Sequence, residues 1–187
     1  MKAILQSIKD SYCISDKSLK KLSDRLLPIE IRKKTILVSP EKINNNLYFI
    51  ERGVARSFTI MDGKEITSWF SKEGDLIYST NSFYGKRKGY ESERVQVLEN
   101  SLFYYISIPE IHDLCLYDND IANWLRVLHQ NAFVDLERRL ISRLYLSAEE
   151  RYHDFFLNNK DLFNRVNLGH IASYLGMSHV TLCALRK

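Results

Sequence analysis

Histidine is missing from the first 111 residues; the 5 that the chain has, His112, His129, His153, His170 and His179, all lie beyond them. A strand-rich N-terminal half without imidazole cannot assemble a histidine-based metal or haem site from its own strands. Cysteine is scarce: 3 residues, Cys13, Cys115 and Cys183, odd in number and widely scattered. That set excludes a disulfide framework and, within one chain, a four-thiolate iron–sulfur cluster. With 7 Gly and 3 Pro, collagen-like and low-complexity classes are excluded as well. No apolar run approaches the roughly 18 residues that a membrane span needs. Met1 to Asp10 lacks a secretory leader's apolar stretch and small-residue cleavage site. A cytoplasmic protein without a membrane partner is expected. Neither a phosphate loop of the G-x-x-x-x-G-K-[ST] type nor a nucleophile elbow is present, so no catalytic residue, metal or cofactor is expected.

What is there is ordinary globular protein: 187 residues, 45% hydrophobic and 27% charged, enough for one large or two small domains. The net charge is +4, and the basic excess sits in the first 40 residues, with 9 basic against 4 acidic side chains. Such a balance permits nucleic-acid binding without indicating it. Lys86-Arg87-Lys88, between Gly85 and Gly89, reads as a solvated loop tip.

The pattern changes character along the chain. Met1 to Leu27 reads as helical, with Ser15 as an N-cap, Leu19, Leu22 and Leu26 at helical spacing, and Pro28 as the stop. From Ile29 to Ile108 short segments rich in β-branched and aromatic residues alternate with turn signals, which predicts an antiparallel barrel or sandwich. Asp62-Gly63, between two such segments, predicts a tight hairpin. Asn119 to Leu146 contains neither Gly nor Pro. Ile121, Leu125, Leu128, Ala132, Leu136, Leu140 and Leu144 recur there every three or four residues, with Val127, Val134, Ile141 and Tyr145 alongside. A helix on the order of 40 Å long with two apolar flanks needs two surfaces to cover it. One is its own barrel and the other a partner subunit, with Ile121, Leu125, Leu128, Ala132, Leu136 and Leu140 as the dimerisation residues. Ser147 and Glu150 have capping-box spacing and open a helix running through Phe156.

The last 20 residues say most. Two short helices meet at Gly176, which accepts a positive φ at a turn; Ala172 is small where the helices cross. Ile171, Leu175, Met177, Leu182 and Leu185 pack one helix on the other, and Ser178 caps the second. This predicts a helix–turn–helix whose second helix enters the major groove of double-stranded DNA. Ser178, Thr181 and the helix N-terminus are the candidates for phosphate and His179, Val180, Cys183 and Ala184 for base edges, with Arg186 and Lys187 completing the DNA-binding set. His179 is the one strong polar reader in that set.

Order and motifs together resemble the Crp/Fnr family of bacterial transcription regulators, over nearly the whole chain. The likeness rests on Leu47-Tyr48-Phe49-Ile50-Glu51-Arg52-Gly53, Asp62-Gly63-Lys64-Glu65-Ile66-Thr67 and Gly74-Asp75, then on Leu146 to Tyr152 and Ile171 to Ser178. It is greatest to the short members found in Bacteroidetes-type bacteria. The resemblance implies an α+β fold in three parts. These are a cyclic-nucleotide-binding-like antiparallel β-barrel of jelly-roll type over 1–118, a long dimerisation helix over 119–146, and a helix-turn-helix domain over 147–187. It also implies a homodimer on a pseudo-palindromic DNA site, with a small-molecule effector in the barrel and RNA polymerase as further partners.

The sequence departs from the family at two places. Members that bind cyclic nucleotides use a Gly-Glu-Leu element and an Arg-Ser pair. Here these fall on Tyr78-Ser79-Thr80 and on Glu91-Ser92, with Arg94 two residues off. A carboxylate in place of the phosphate-binding guanidinium reverses the sign of the interaction, so neither cyclic AMP nor cyclic GMP is expected to bind. The site is either vestigial or reshaped for another ligand around Tyr78, Asn81, Ser92 and Arg94. In the recognition helix, the family's Arg-Glu corresponds to His179-Val180 and a later Arg to Ala184. The second reading is therefore a ligand-binding or protein-interaction module whose helix–turn–helix no longer reads DNA.

Overall fold

The computed structural model describes residues 1–83 and 93–186. Glu91, Ser92, Lys187 and the basic run Lys86 to Lys88 lie outside the described residues.

Two helices open the chain, α1 (Lys2–Ser11) and α2 (Asp16–Ser23), the second capped by Ser15, whose hydroxyl accepts from the Ser18 N–H. Pro28 does not end a helix. It lies in β1 (Leu27–Ile31), an edge strand, where its missing N–H costs no ladder bond. β1, β8 (Ser101–Ser107), β3 (Asn46–Arg52) and β6 (Leu76–Ile77) form one antiparallel sheet in that order. β2 (Ile36–Val38), β7 (Arg94–Val97), β4 (Ala55–Met61) and β5 (Lys64–Ser71) form the other. Side chains of both sheets, among them Val38, Ile50, Val97 and Phe103, share one buried cluster. The expected antiparallel barrel is, among the described residues, a roll of two open four-stranded sheets. The expected hairpin joins β4 to β5 through Asp62 and Gly63 alone, both at positive φ, which matches the right-handed twist of the strands.

A single helical turn, α3 (Thr80–Phe83), follows β6. A further helix that the sequence periodicity does not announce, α4 (Ile108–Tyr117), follows β8 and is capped by Ser107. Its successor α5 (Asn119–Tyr145) is the long helix. The first half of α5 packs with α1, α2 and α4 on the β1–β8–β3 sheet. Trp124 is fully buried there and stacks on Phe49 with ring centres 6.1 Å apart.

The dimerisation stripe needs correction. Ile121 and Leu125 are buried in the chain's own core, Leu128 is packed against it, and Ala132 is half-buried. Leu136 and Leu140 are exposed, as are Phe133, Leu144, Val134, Ile141 and Tyr145. One residue advances a helix by about 100°, so a step of four overshoots a full turn by about 40°. Ala132, Leu136, Leu140 and Leu144 are separated by such steps, and the row swings by about 120° from core to solvent. What reads as one apolar face is two: an inner one ending near Ala132 and an outer one beginning near Phe133.

Four short helices complete the chain: α6 (Ala148–Asn158), α7 (Leu162–Arg165), α8 (Leu168–Leu175) and α9 (His179–Leu185). The capping box at the start of α6 is formed as read: Ser147 Oγ accepts from the Glu150 N–H, and Glu150 accepts from the Ser147 N–H. Tyr152, Phe155, Leu162, Ile171, Leu175 and Leu182 form the core of this last unit. Val54 and Leu98 from the roll are buried in the same cluster and Phe70 packs on it, so the unit is built onto the roll. No described helix is long and apolar enough to cross a membrane.

Trp124→Ala removes the largest fully buried side chain. It is expected to lower unfolding free energy by about 3–5 kcal/mol, measured by urea denaturation.

Candidate nucleic-acid interface

The turn between α8 and α9 follows from backbone bonding. Asn167 caps α8, its side chain accepting from the Gly169 N–H. At the other end Gly176 takes φ 67° and ψ 38°, and the chain leaves in a Schellman turn. The Met177 N–H donates to the Ala172 carbonyl at 3.0 Å and the Gly176 N–H to the Ser173 carbonyl at 3.2 Å. Ser178 then caps α9: its hydroxyl accepts from the Thr181 N–H at 3.0 Å and lies 2.8 Å from the Thr181 hydroxyl. Fully buried Leu182 anchors α9, and Ala172 is buried on α8.

The sequence-predicted reading residues fall on one helix with a mixed outlook. Ser178, His179, Val180, Ala184 and Arg186 are exposed, with Val180 at 77%; Thr181 and Cys183 are half-buried. Cys183 Sγ lies 3.8 Å from His179 Nδ1, and the Arg186 guanidinium stands over the Phe163 ring at 5.6 Å. The outward surface is thus small, partly apolar and poor in forked donors.

Contacts that no local pattern announces hold this head on the roll. β5 is an edge strand, and its outward backbone groups meet α8 and α5. The Ser173 hydroxyl donates to the Glu65 carbonyl at 3.0 Å and accepts from the Thr67 N–H at 2.9 Å. The Thr67 carbonyl accepts from Arg139 at 3.2 Å. Phe70 lies 5.3 Å from Tyr174 and 6.3 Å from Phe155, ring centre to ring centre. Arg165 on α7 forks onto Glu73 at 2.7 and 3.0 Å and reaches Glu99 at 2.5 Å. Glu73 also accepts from the Gly53 N–H at 2.8 Å. Burial alone would raise the Glu73 carboxyl; the bonds from Arg165 and Gly53 outweigh it and bring the pKa down to about 2. Neither residue carries a sequence signal, because the partners lie 92 positions apart.

The residues expected to line a ligand site are scattered. Tyr78 packs on Phe83 and, edge-on, on His129. Ser79 is buried. Arg94 is held by Glu41 at 2.9 Å. Tyr78 and Thr80 do border a cavity of about 350 Å³ between the roll and α5. Asn81 lies in a short helix, Thr80–Phe83. Asp75 and Glu93 share the cavity wall, and loss of water raises both carboxyls above their ordinary range. No lysine or arginine among the described residues lines it, so its electrostatics oppose an anion. Nor do three or more described His, Cys, Asp or Glu side chains gather as metal ligands would.

Neither a protein-family profile nor a curated protein sequence matches the chain. Solved structures do. FixK2 from Bradyrhizobium japonicum superposes with a TM-score of 0.74 at 16% identity, over 86% of this chain and 82% of its own. A crp/fnr-family transcriptional regulator from Eubacterium rectale gives 0.70 at 17% identity, over 92% and 82%. A cyclic nucleotide-binding domain from Methylobacillus flagellatus gives 0.63 at 13% identity, over 76% and 80%. The chain has the fold of the Crp/Fnr regulators.

Two outcomes follow. Cyclic AMP at millimolar concentration is expected to leave the melting temperature unmoved in differential scanning fluorimetry. Arg165→Ala is expected to remove about 1–2 kcal/mol of stability at neutral pH, after solvent screening of a partly exposed cluster. The depressed Glu73 pKa contributes stability above the ordinary carboxylate pKa, lost as pH falls from about 4.5 toward about 2. Urea midpoints across that range should converge for the two proteins.

Proposed function

We propose that this chain is a DNA-binding transcription regulator of the Crp/Fnr type, acting as a homodimer and not answering to cyclic AMP. The observation that carries the reading is the Schellman turn at Gly176, which sets α9 outward on its Leu182 anchor. The outer apolar row of α5, Phe133, Leu136, Leu140 and Leu144, supports the dimer. Its only economical cover is the same row on a second copy, as a two-helix seam. Two recognition helices would then stand about 34 Å apart to meet successive major grooves. The parts divide as sensor roll over 1–118, dimerisation helix over 119–146 and reading head over 147–187. Ser178, Thr181, Arg186 and Lys187 would hold phosphates; His179, Val180, Cys183 and Ala184 would meet base edges. With one strong polar reader, much of the base preference would rest on DNA shape. An effector and RNA polymerase belong to the same reading as further partners.

The scarcity of forked donors among the described residues of the exposed face of α9 favours a second reading, a ligand-binding or protein-interaction module that no longer reads DNA. Selection of bound duplexes from a random pool separates the two. An enriched palindrome, bound with an affinity that falls steeply with salt, is expected for the regulator. The double variant Leu136→Glu/Leu140→Glu should elute as a monomer and lose about a hundred-fold in affinity for the selected site. A dimer that enriches no sequence and binds without a salt slope would establish the second reading.

A further inference from the structure

The inner face of α5 changes character along its length. After Ala132 it carries Asp135, Arg139, Ser142 and Arg143, which together with β5, α6 and α8 enclose a cleft of about 480 Å³. Arg138 and Arg151 complete a set of four guanidinium groups around it, and Trp69 and Phe155 supply aromatic wall. The volume lies within the range of small-molecule sites, and the place, between roll, long helix and head, is where such sites concentrate.

The charges in the cleft are not matched. Two carboxylates, Asp135 and Asp154, line it, and Arg138 takes the first at 3.3 Å. Among the described residues the other three guanidinium groups make no ion pair. Arg143 donates to the carbonyls of Ser173 and Tyr174, and Arg151 to those of Leu175 and Leu146. Arg139 is the most exposed to this imbalance. It donates to the Thr67 carbonyl, lies 4.3 Å over the Tyr174 ring, and its Nε is buried without a hydrogen-bond partner. Loss of water opposes its protonated form most, Tyr174 favours that form in part, and the like charge of Arg143 opposes it again. Guanidinium does not give up its proton, so an anion entering the cleft would relieve the remaining strain.

We infer that this cleft binds a small anion of mononucleotide type, its phosphate on Arg139 and Arg143 and its flat base against the aromatic wall. It adjoins the acidic cavity beside Tyr78, sharing Trp69, Phe70 and Asp135 with it, but the four guanidinium groups line this cleft alone, and duplex DNA cannot enter a concavity walled by four elements. A ligand there touches roll, long helix and head at once, and so fixes the head's orientation. That consequence for DNA rests on the proposed function; the binding itself does not.

Isothermal titration of the full chain with 5′-AMP and 5′-GMP, against adenosine and inorganic phosphate, tests it. One nucleotide per chain is expected, bound at least about ten-fold tighter than either fragment. Arg139→Gln should weaken binding by at least about ten-fold. Ser142→Glu removes no described contact and supplies the missing carboxylate; it should abolish binding while holding or raising the melting temperature. That variant keeps the test independent of whether Arg139→Gln folds. Arg25→Gln, remote from the cleft, should change nothing. Absence of nucleotide binding at millimolar concentration, or binding that survives both cleft variants, overturns the inference. Nucleotide binding without DNA binding would uphold the cleft and remove the DNA reading; DNA binding without nucleotide binding would do the reverse.

Discussion

The free edge of β5 is the constraint on which the arrangement of the molecule depends. An edge strand presents N–H and carbonyl groups that require partners, and an open edge invites pairing with another chain. Here one serine hydroxyl on α8 satisfies two of those groups and one arginine on α5 a third. The edge is thereby capped by side chains rather than by another strand. The first helix of the head is fixed to the roll at the same contacts, and so is the direction in which α9 faces. Phe70, Val54 and Leu98 extend the tie into the head's apolar core, and the Arg165–Glu73–Glu99 cluster closes it on the far side.

The long helix serves two environments in succession. Its first half is an internal strut, with Ile121, Trp124 and Leu125 buried against the sheet and the N-terminal helices. Beyond Ala132 the inward side becomes basic and the outward side apolar, so the hydrophobic surface crosses the helix rather than running along it. A bare apolar surface on a stiff helix is stable in water only when covered. That is why the reading of α5 as a seam attaches to its second half alone.

Much of the fold was legible in the sequence wherever the cause was local. The Asp62-Gly63 hairpin, the Ser147–Glu150 capping box, the Ser15 and Ser178 caps and the Gly176 turn each follow from residues a few positions apart, and each is formed. The sequence is ambiguous where a local signal has two solutions. Pro28 stops a helix but is equally at home on an edge strand. A row of apolar residues spaced by four reads as one face although it winds across two. α4 went unread between a strand and a longer helix. Of the candidate site, the turn and the caps were legible. Arg139, Arg165, Glu73 and Ser173 were not, because their meaning comes from partners 20 to 108 positions away. The described ligand residues assigned by resemblance spread over a cavity edge, a buried serine at the start of a short helix and an ion pair with Glu41.

Glu73 carries a consequence beyond its own stability. The same carboxylate that grips Arg165 also holds the Gly53 amide at the β3–β4 turn. A head that swings away therefore releases a corner of the roll, and a roll that shifts there loosens the head. Coupling of this kind has no preferred direction. On the proposed function, whatever the head grasps would be registered in the roll as surely as any effector in the roll would be registered by the head, and an operator would itself act as an allosteric ligand of the roll.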